Sequence, residues 1–186
     1  MYFFRDYIYL LIQSVPHTIY LLLLAILCIL SILLISFKGF QKGFRNVMAV
    51  LLIEYIVFLY CSTVIYRAVN VGDTHNFVPF WSYVKIINGT DLGLLPQNVM
   101  NVVVFLPVGV LGGGLFHKNA IWKVVGIAAA ISLSIEIMQF VLQRGFSEFG
   151  DVIHNTLGAL IGYVLWQGAK VIVISFRDRN KPVISF

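Results

Sequence analysis

Five stretches of about twenty apolar residues, near 19–37, 46–66, 98–116, 122–143 and 152–174, dominate this chain. Each is long enough, as a helix rising ~1.5 Å per residue, to cross ~30 Å of hydrocarbon. Inside a bilayer every backbone N–H and C=O must be bonded within the protein, so separate runs of this kind can fold only as helices. The chain has 186 residues, 60% of them hydrophobic and 11% charged, which leaves no room for a soluble domain beside the spans. The expected fold is all-α: a polytopic transmembrane helical bundle of about five spans. Its divisions are an N-terminal interfacial or tilted segment, 1–18, a membrane domain, 19–176, and a short tail, 177–186.

The formal charge of +5 does not point to nucleic acid, because the basic residues sit in short clusters between spans, as membrane orientation requires. Cys28 and Cys61 fall within apolar runs and form no CxxC pair, so they read as small hydrophobes. The start, MYFFRDYIYLLIQSVPH, has no small-residue cleavage site after an apolar core and is expected to be retained.

Nine of the thirteen Lys and Arg residues fall on one side of a five-span arrangement: Lys38, Lys42, Arg45, Lys118, Lys123, Lys170, Arg177, Arg179 and Lys181. The positive-inside rule then predicts a cytoplasmic C-terminus and an external N-terminus, with residues 67–97 and 144–151 facing outward. The longer external segment carries Phe77, Pro79, Phe80, Trp81 and Tyr83, which suits a loop lying at headgroup depth.

Polar residues within the apolar runs are spaced by helical turns. Ser132, Glu136, Gln139 and Gln143 share one face of the fourth span. Asn98, Asn101, Phe105, Gly109 and Gly112 form a stripe on the third, and Asp151, Asn155, Gly158 and Gly162 on the fifth. In the expected topology the polar ends of all three stripes lie at the same membrane depth. Glu136 stands seven residues before Gln143, about 10 Å down the helix. A carboxyl there costs a few kcal/mol in lipid, so it must face the bundle interior or a wet cavity. Glu136 and Asp151 are therefore the candidate catalytic groups. Asn98, Asn101, Gln139, Arg144 and Asn155 are candidates for substrate binding. The amides serve equally well as interhelical hydrogen bonds, and the charged set as a buried ion network. The glycines read as sites of close helix packing. Glu54, in the second span without a polar stripe, reads as a supporting or proton-linked group.

Other chemistries lack their motifs. The four histidines are scattered with no HxH or HExxH spacing, so no metal is expected. Ser132 and Ser134 lack a GxSxG elbow, and Gly112-Gly113-Gly114 lacks the Lys-Ser/Thr of a phosphate loop. No cofactor is expected.

Taken in order, Asn76-Phe77-x-Pro79-Phe80, Asn98-x-x-Asn101-x-x-x-Phe105-x-Pro107-x-Gly109, Ser132-x-x-x-Glu136-x-x-Gln139, Arg144, and Asp151-x-x-x-Asn155-Thr156-x-Gly158-x-x-x-Gly162-Tyr163 resemble the VanZ-like family over residues 45–170. Many members carry two acids just before the last helix, whereas here Gly150 precedes Asp151 and Glu148 supplies the second acid. The resemblance implies a bacterial plasma-membrane protein associated with resistance to teicoplanin and related lipoglycopeptides. The drugs act outside the membrane on cell-wall precursors.

Two classes of function remain open at this level. One is an enzyme acting on a lipid-linked envelope substrate, with Glu136 as general acid or base and Asp151 as its partner. The other is a non-catalytic module that sequesters a lipid or the acyl chain of the drug. The expected partners are membrane lipids with a lipid-linked cell-wall precursor or lipoglycopeptide. The sequence leaves the oligomeric state open.

Overall fold

The computed structural model describes residues 40–179 apart from 70, 71, 73, 74 and 118, together with positions 19, 22, 25, 26, 29, 30 and 33, all seven of which are helical. The expected interfacial segment 1–18, most of the expected first span and the last residues of the tail lie outside the described residues. The elements are α1 (Phe40–Tyr60), which continues as a π-helix over Cys61–Ile65, then β1 (His75–Asn76), α2 (Trp81–Ile87), α3 (Leu94–Leu115), α4 (Ala120–Leu142), β2 (Ser147–Glu148) and α5 (Phe149–Arg179). The protein is an all-α helical membrane protein. Among the described residues four helical segments are long and apolar enough to cross a membrane: Gly43–Ile65, Leu94–Leu115, Ala120–Leu142 and Phe149–Phe176. They match the second to fifth expected spans to within a few residues.

The closest packing is between α3 and α5. Three glycines set it. A Cβ on Gly158 would collide with the Val102 carbonyl, one on Gly162 with the Leu106 carbonyl, and one on Gly109 with the Ala159 carbonyl. Without side chains the two backbones reach a distance at which dispersion and weak polar contacts add up, which is how helices associate when lipid removes the usual hydrophobic drive. The glycine stripes are thus packing surfaces. α1 and α4 complete the bundle around a core of Leu59, Val64, Phe105, Val108, Val124, Ala128 and Ile135.

Hydrogen bonds lock α1 in place. Pro107 has no N–H to return to the carbonyl four residues earlier, and in that turn the Tyr55 hydroxyl donates to the Val104 carbonyl at 2.7 Å. The Tyr60 hydroxyl is hydrogen-bonded to Ser134 Oγ on α4. Ser62 and Thr63 turn their hydroxyls back on the carbonyls of Phe58 and Leu59. The wider π-helical turn that follows directs its carbonyls sideways, where α4 and the loop after it use them.

The connections at one end of the bundle are short and tied together. α4 stops at Gln143, which is left-handed at φ 52°, and Gly145 follows at φ 84°. β2 then pairs in parallel with β1, His75 opposite Ser147 and Asn76 opposite Glu148. Between β1 and α2, Asn76 Oδ1 accepts the Val78 N–H at 3.0 Å and Phe80 adopts φ 58°, a left-handed conformation that a bulky residue rarely takes. The sequence Asn-Phe-Val-Pro-Phe is therefore a tight reversal that aims Trp81 back at β2.

Replacing Gly158 with Leu is expected to abolish the stable bundle, seen as loss of the monodisperse species in detergent and of its cooperative melt. Gly168 has open space around it on the same helix. Gly168→Ala is expected to leave the melt unchanged or raise it slightly, since Ala is favoured over Gly in a helix by about 1 kcal/mol.

A buried carboxylate cluster at one end of the bundle

Glu136 reaches from α4 into the junction between α4 and α5. Its Oε2 accepts the backbone N–H of Glu148 at 2.7 Å, so the carboxyl holds the strand that precedes α5. Glu148 in turn lies under the loop: Trp81 Nε1 donates to its Oε2 at 2.8 Å and Gln97 Nε2 to its Oε1 at 3.4 Å. The Trp81 indole has Lys85 over its face at 4.7 Å and Phe146 beside it at 6.1 Å, and this fixes the donor. Asp151, in the first turn of α5, lies 3.9 Å from His154 Nδ1, and His154 Nε2 is hydrogen-bonded to the Tyr83 hydroxyl of α2 at 2.8 Å. Glu136, Glu148, Asp151 and His154 are all buried.

Amides and hydroxyls surround this centre. Asn155 Nδ2 donates to Ser132 Oγ at 2.8 Å, joining α5 to α4, and Asn98 Nδ2 donates to Ser82 Oγ at 3.1 Å, joining α3 to α2. Gln139 Nε2 donates to the Thr63 carbonyl in the π-helical turn at 3.0 Å. Asn101 Nδ2, Gln139 Oε1 and Asp151 Oδ1 are buried and accept or donate no hydrogen bond among the described residues.

Those three residues line a single cavity with Glu136, Asn155, Gln97, Thr63 and Arg67, closed by Phe105, Ile135 and Phe146. Its volume is about 70 Å³. At ~10–15 Å³ of such space per water it holds about five waters or one small polar group. Glu136 also borders a second, apolar groove of about 130 Å³, walled by Phe77, Leu133, Ile137, Phe140, Phe149 and Val152 together with Ser147 and Glu148. Glu136 belongs to both.

The structure thus brings Glu136, Gln139, Asn101, Asp151 and Asn155 to one cavity, as their stripes suggest. Asn98 is buried nearby as a link to α2 and does not line it. Arg144 points elsewhere, donating from Nη1 to the Ile65 carbonyl while its backbone pairs with Val69. Among the described residues, the cationic one that lines the cavity is Arg67. Glu54 is remote from the cluster, and one of its oxygens is buried without a partner. Gln97 and His154 were legible as the i,i+4 neighbour of Asn101 and the i,i+3 neighbour of Asp151. Nothing in the sequence signals that Trp81, sixty-seven positions from Glu148, is its donor. Among the described residues no three His, Cys, Asp or Glu side chains are placed to hold a metal.

The Glu148 carboxyl, which lies outside the spans, is pushed up to about 7 by burial, helped by the negative charge of Asp151 and opposed by Trp81, His154 and Gln97.

Helix content, span length and a buried polar cluster together define a polytopic integral membrane protein with an enclosed site at one end of its bundle. The chain belongs to the VanZ/LLP1 family, which matches residues 17–173 and so covers every element of the site. It is 27% identical over 126 residues to Protein VanZ of Enterococcus faecium, an alignment covering 66% of this chain and 72% of the relative. No solved structure matches it.

Because folding raises the Glu148 affinity for its proton, the stability this group contributes is present below its ordinary value of 4.5 and is lost as pH rises through about 7. The protein is expected to melt at a higher temperature at pH 5 than at pH 8, by on the order of 2–4 °C for each kcal/mol of linkage. Glu148→Gln should flatten that slope. Asp151→Asn should move its midpoint down, as read by thermal unfolding across a pH series.

Proposed function

We propose that this protein is a VanZ-like membrane protein of the bacterial cell envelope, associated with resistance to teicoplanin-type lipoglycopeptides, and that its carboxylate-lined cavity takes the polar head of a lipid-linked envelope substrate. The observation that carries this reading is the meeting of two unlike spaces at Glu136. On one side buried donors and acceptors without partners face a cavity for a small polar group. On the other an apolar groove leads away between α4 and α5. A molecule with a polar head and a hydrocarbon chain satisfies both at once. Seventy cubic ångströms is far too little for a whole glycopeptide, so the cavity suits a head group or one substituent.

Within this reading Arg67 supplies charge to a phosphate or carboxylate, and Asn101, Gln139 and Asn155 orient it by hydrogen bonds. Glu136 and Asp151 are the groups for proton transfer, with His154 and Tyr83 positioning Asp151. The charge asymmetry of the loops favours a cytoplasmic C-terminus and an outward-facing cavity in the plasma membrane, where the drugs and their targets meet.

Glu136→Gln and Asp151→Asn are each expected to express at normal levels and to reduce teicoplanin resistance to the level of cells lacking the protein, in a susceptibility assay. Full resistance in both variants would overturn the site. Arg67→Gln should lower resistance more than Arg144→Gln. The apolar groove also favours a second reading, sequestration of a lipid or acyl chain without chemistry. Mass spectrometry of lipids and cell-wall precursors from expressing cells separates the two. A new mass that disappears with Glu136→Gln marks an enzyme, and an unchanged profile with direct binding of the lipid marks the module.

A further inference from the structure

The opposite end of the bundle holds a larger cleft, about 790 Å³, which is within the range of ligand sites. α1 and α5 both pack on α3 but scarcely touch each other. They meet at the stacked pair Phe44 and Trp166, with ring centroids 6.1 Å apart. The indole lies flat against α3 because Gly113 and Gly114 leave it room: a Cβ on Gly113 would approach Trp166 to 2.7 Å, and one on Gly114 would come within 3.0 Å of Met48. The gap between the helices is therefore built into the packing.

Three elements bring cationic or titratable groups to this cleft: Arg45 from α1, His117 from the end of α3 and Lys170 from α5. No Asp or Glu lines it among the described residues. Arg45 and Lys170 are exposed, and among the described residues neither is in an ion pair. Depth is consistent across the three helices: on α1 and its π-helical continuation, Thr63, which lines the carboxylate cavity, follows Arg45 by eighteen residues, about 27 Å at ~1.5 Å per residue. Lys170 follows Asp151 by nineteen residues of α5, about 28 Å along its axis, and the end of α3 at Leu115, two residues before His117, follows Asn98 by seventeen, about 25 Å, at ~1.5 Å per residue. That is close to the ~30 Å of a hydrocarbon core. The cations thus lie at the headgroup level of the leaflet opposite the carboxylate cluster, beside exposed apolar residues of α5, Val173 and Ile174, that also line the cleft. A guanidinium and an ammonium at that level, next to a rigid aromatic wall open to hydrocarbon, match a phosphate that carries acyl chains.

We infer that this cleft binds an anionic phospholipid, its phosphate held between Arg45 and Lys170 and its chains against Phe44 and Trp166. The site is independent of the carboxylate cavity and of any chemistry there.

The test is native mass spectrometry of the full-length protein in detergent with phosphatidylglycerol, phosphatidylcholine or inorganic phosphate at equal concentration. Phosphatidylglycerol is expected to be retained, and phosphatidylcholine to bind roughly 10-fold more weakly. Arg45→Gln and Lys170→Gln, both at exposed positions, should each weaken phosphatidylglycerol binding by roughly 5- to 10-fold. Arg45→Lys with Lys170→Arg should keep it, and Glu136→Gln should not affect it, which separates this site from the first. Equal retention of the two lipids, or phosphatidylglycerol binding unchanged in both Gln variants, would overturn the inference. So would inorganic phosphate bound as well as the lipid, since the ligand would then be a free anion.

Discussion

The close approach of α3 and α5 is the constraint on which the rest of this structure depends. Glycines at 109, 158 and 162 let each backbone lie against the carbonyls of the other. Only at that separation do Asn101 and Gln97 on one helix face Asp151 and Asn155 on the next across a space of a few waters. A pair of ordinary apolar helices, about 8–10 Å apart, would hold these polar groups further from one another. Here the packing excludes lipid from polar groups whose exposure to hydrocarbon would cost several kcal/mol each.

The second determinant is the junction between α4 and α5. A carboxyl buried in a membrane protein needs a donor, and Glu136 has the backbone N–H of Glu148. The same contact fixes where α5 begins, and so fixes the depth of Asp151. The aromatic reversal at Asn76 to Trp81 then closes over Glu148, with the β1–β2 pairing holding loop and junction in register. Three acids are thereby packed together with one arginine lining the cavity, and the cost of burying them, added to by the charge of Asp151, appears in the raised proton affinity of Glu148. Sites in which carboxyls are crowded and partly dry are suited to proton transfer or to gripping a polar head group, and the buried atoms without protein partners point the same way.

The two ends of the bundle are chemically opposite. One is acidic, enclosed and roofed by an aromatic loop. The other is basic, open between α1 and α5 and walled by Phe44 and Trp166. The same two helices, α3 and α5, make both: tightly joined at glycine along their middle, they leave α1 and α5 splayed where Trp166 fills the space over Gly113.

The residues by themselves determined that the chain is a helical membrane protein, because an unbroken apolar run in lipid has no other way to satisfy its backbone. They also determined that Glu136, Gln139, Asn101, Asp151 and Asn155 face inward, because helical periodicity aligns them and lipid penalises the alternative. Tertiary structure alone decided which cation shares their cavity. Arg67 and Arg144 both end apolar runs and are equivalent in one dimension, but the widened turn at Cys61–Ile65 presents a carbonyl that binds Arg144 and leaves Arg67 at the cavity wall. It also decided that Trp81 serves Glu148 and that the glycine-rich end of α3 opens into a second cleft. Such pairings join residues far apart in sequence through loop geometry, and no periodicity within a single helix encodes them.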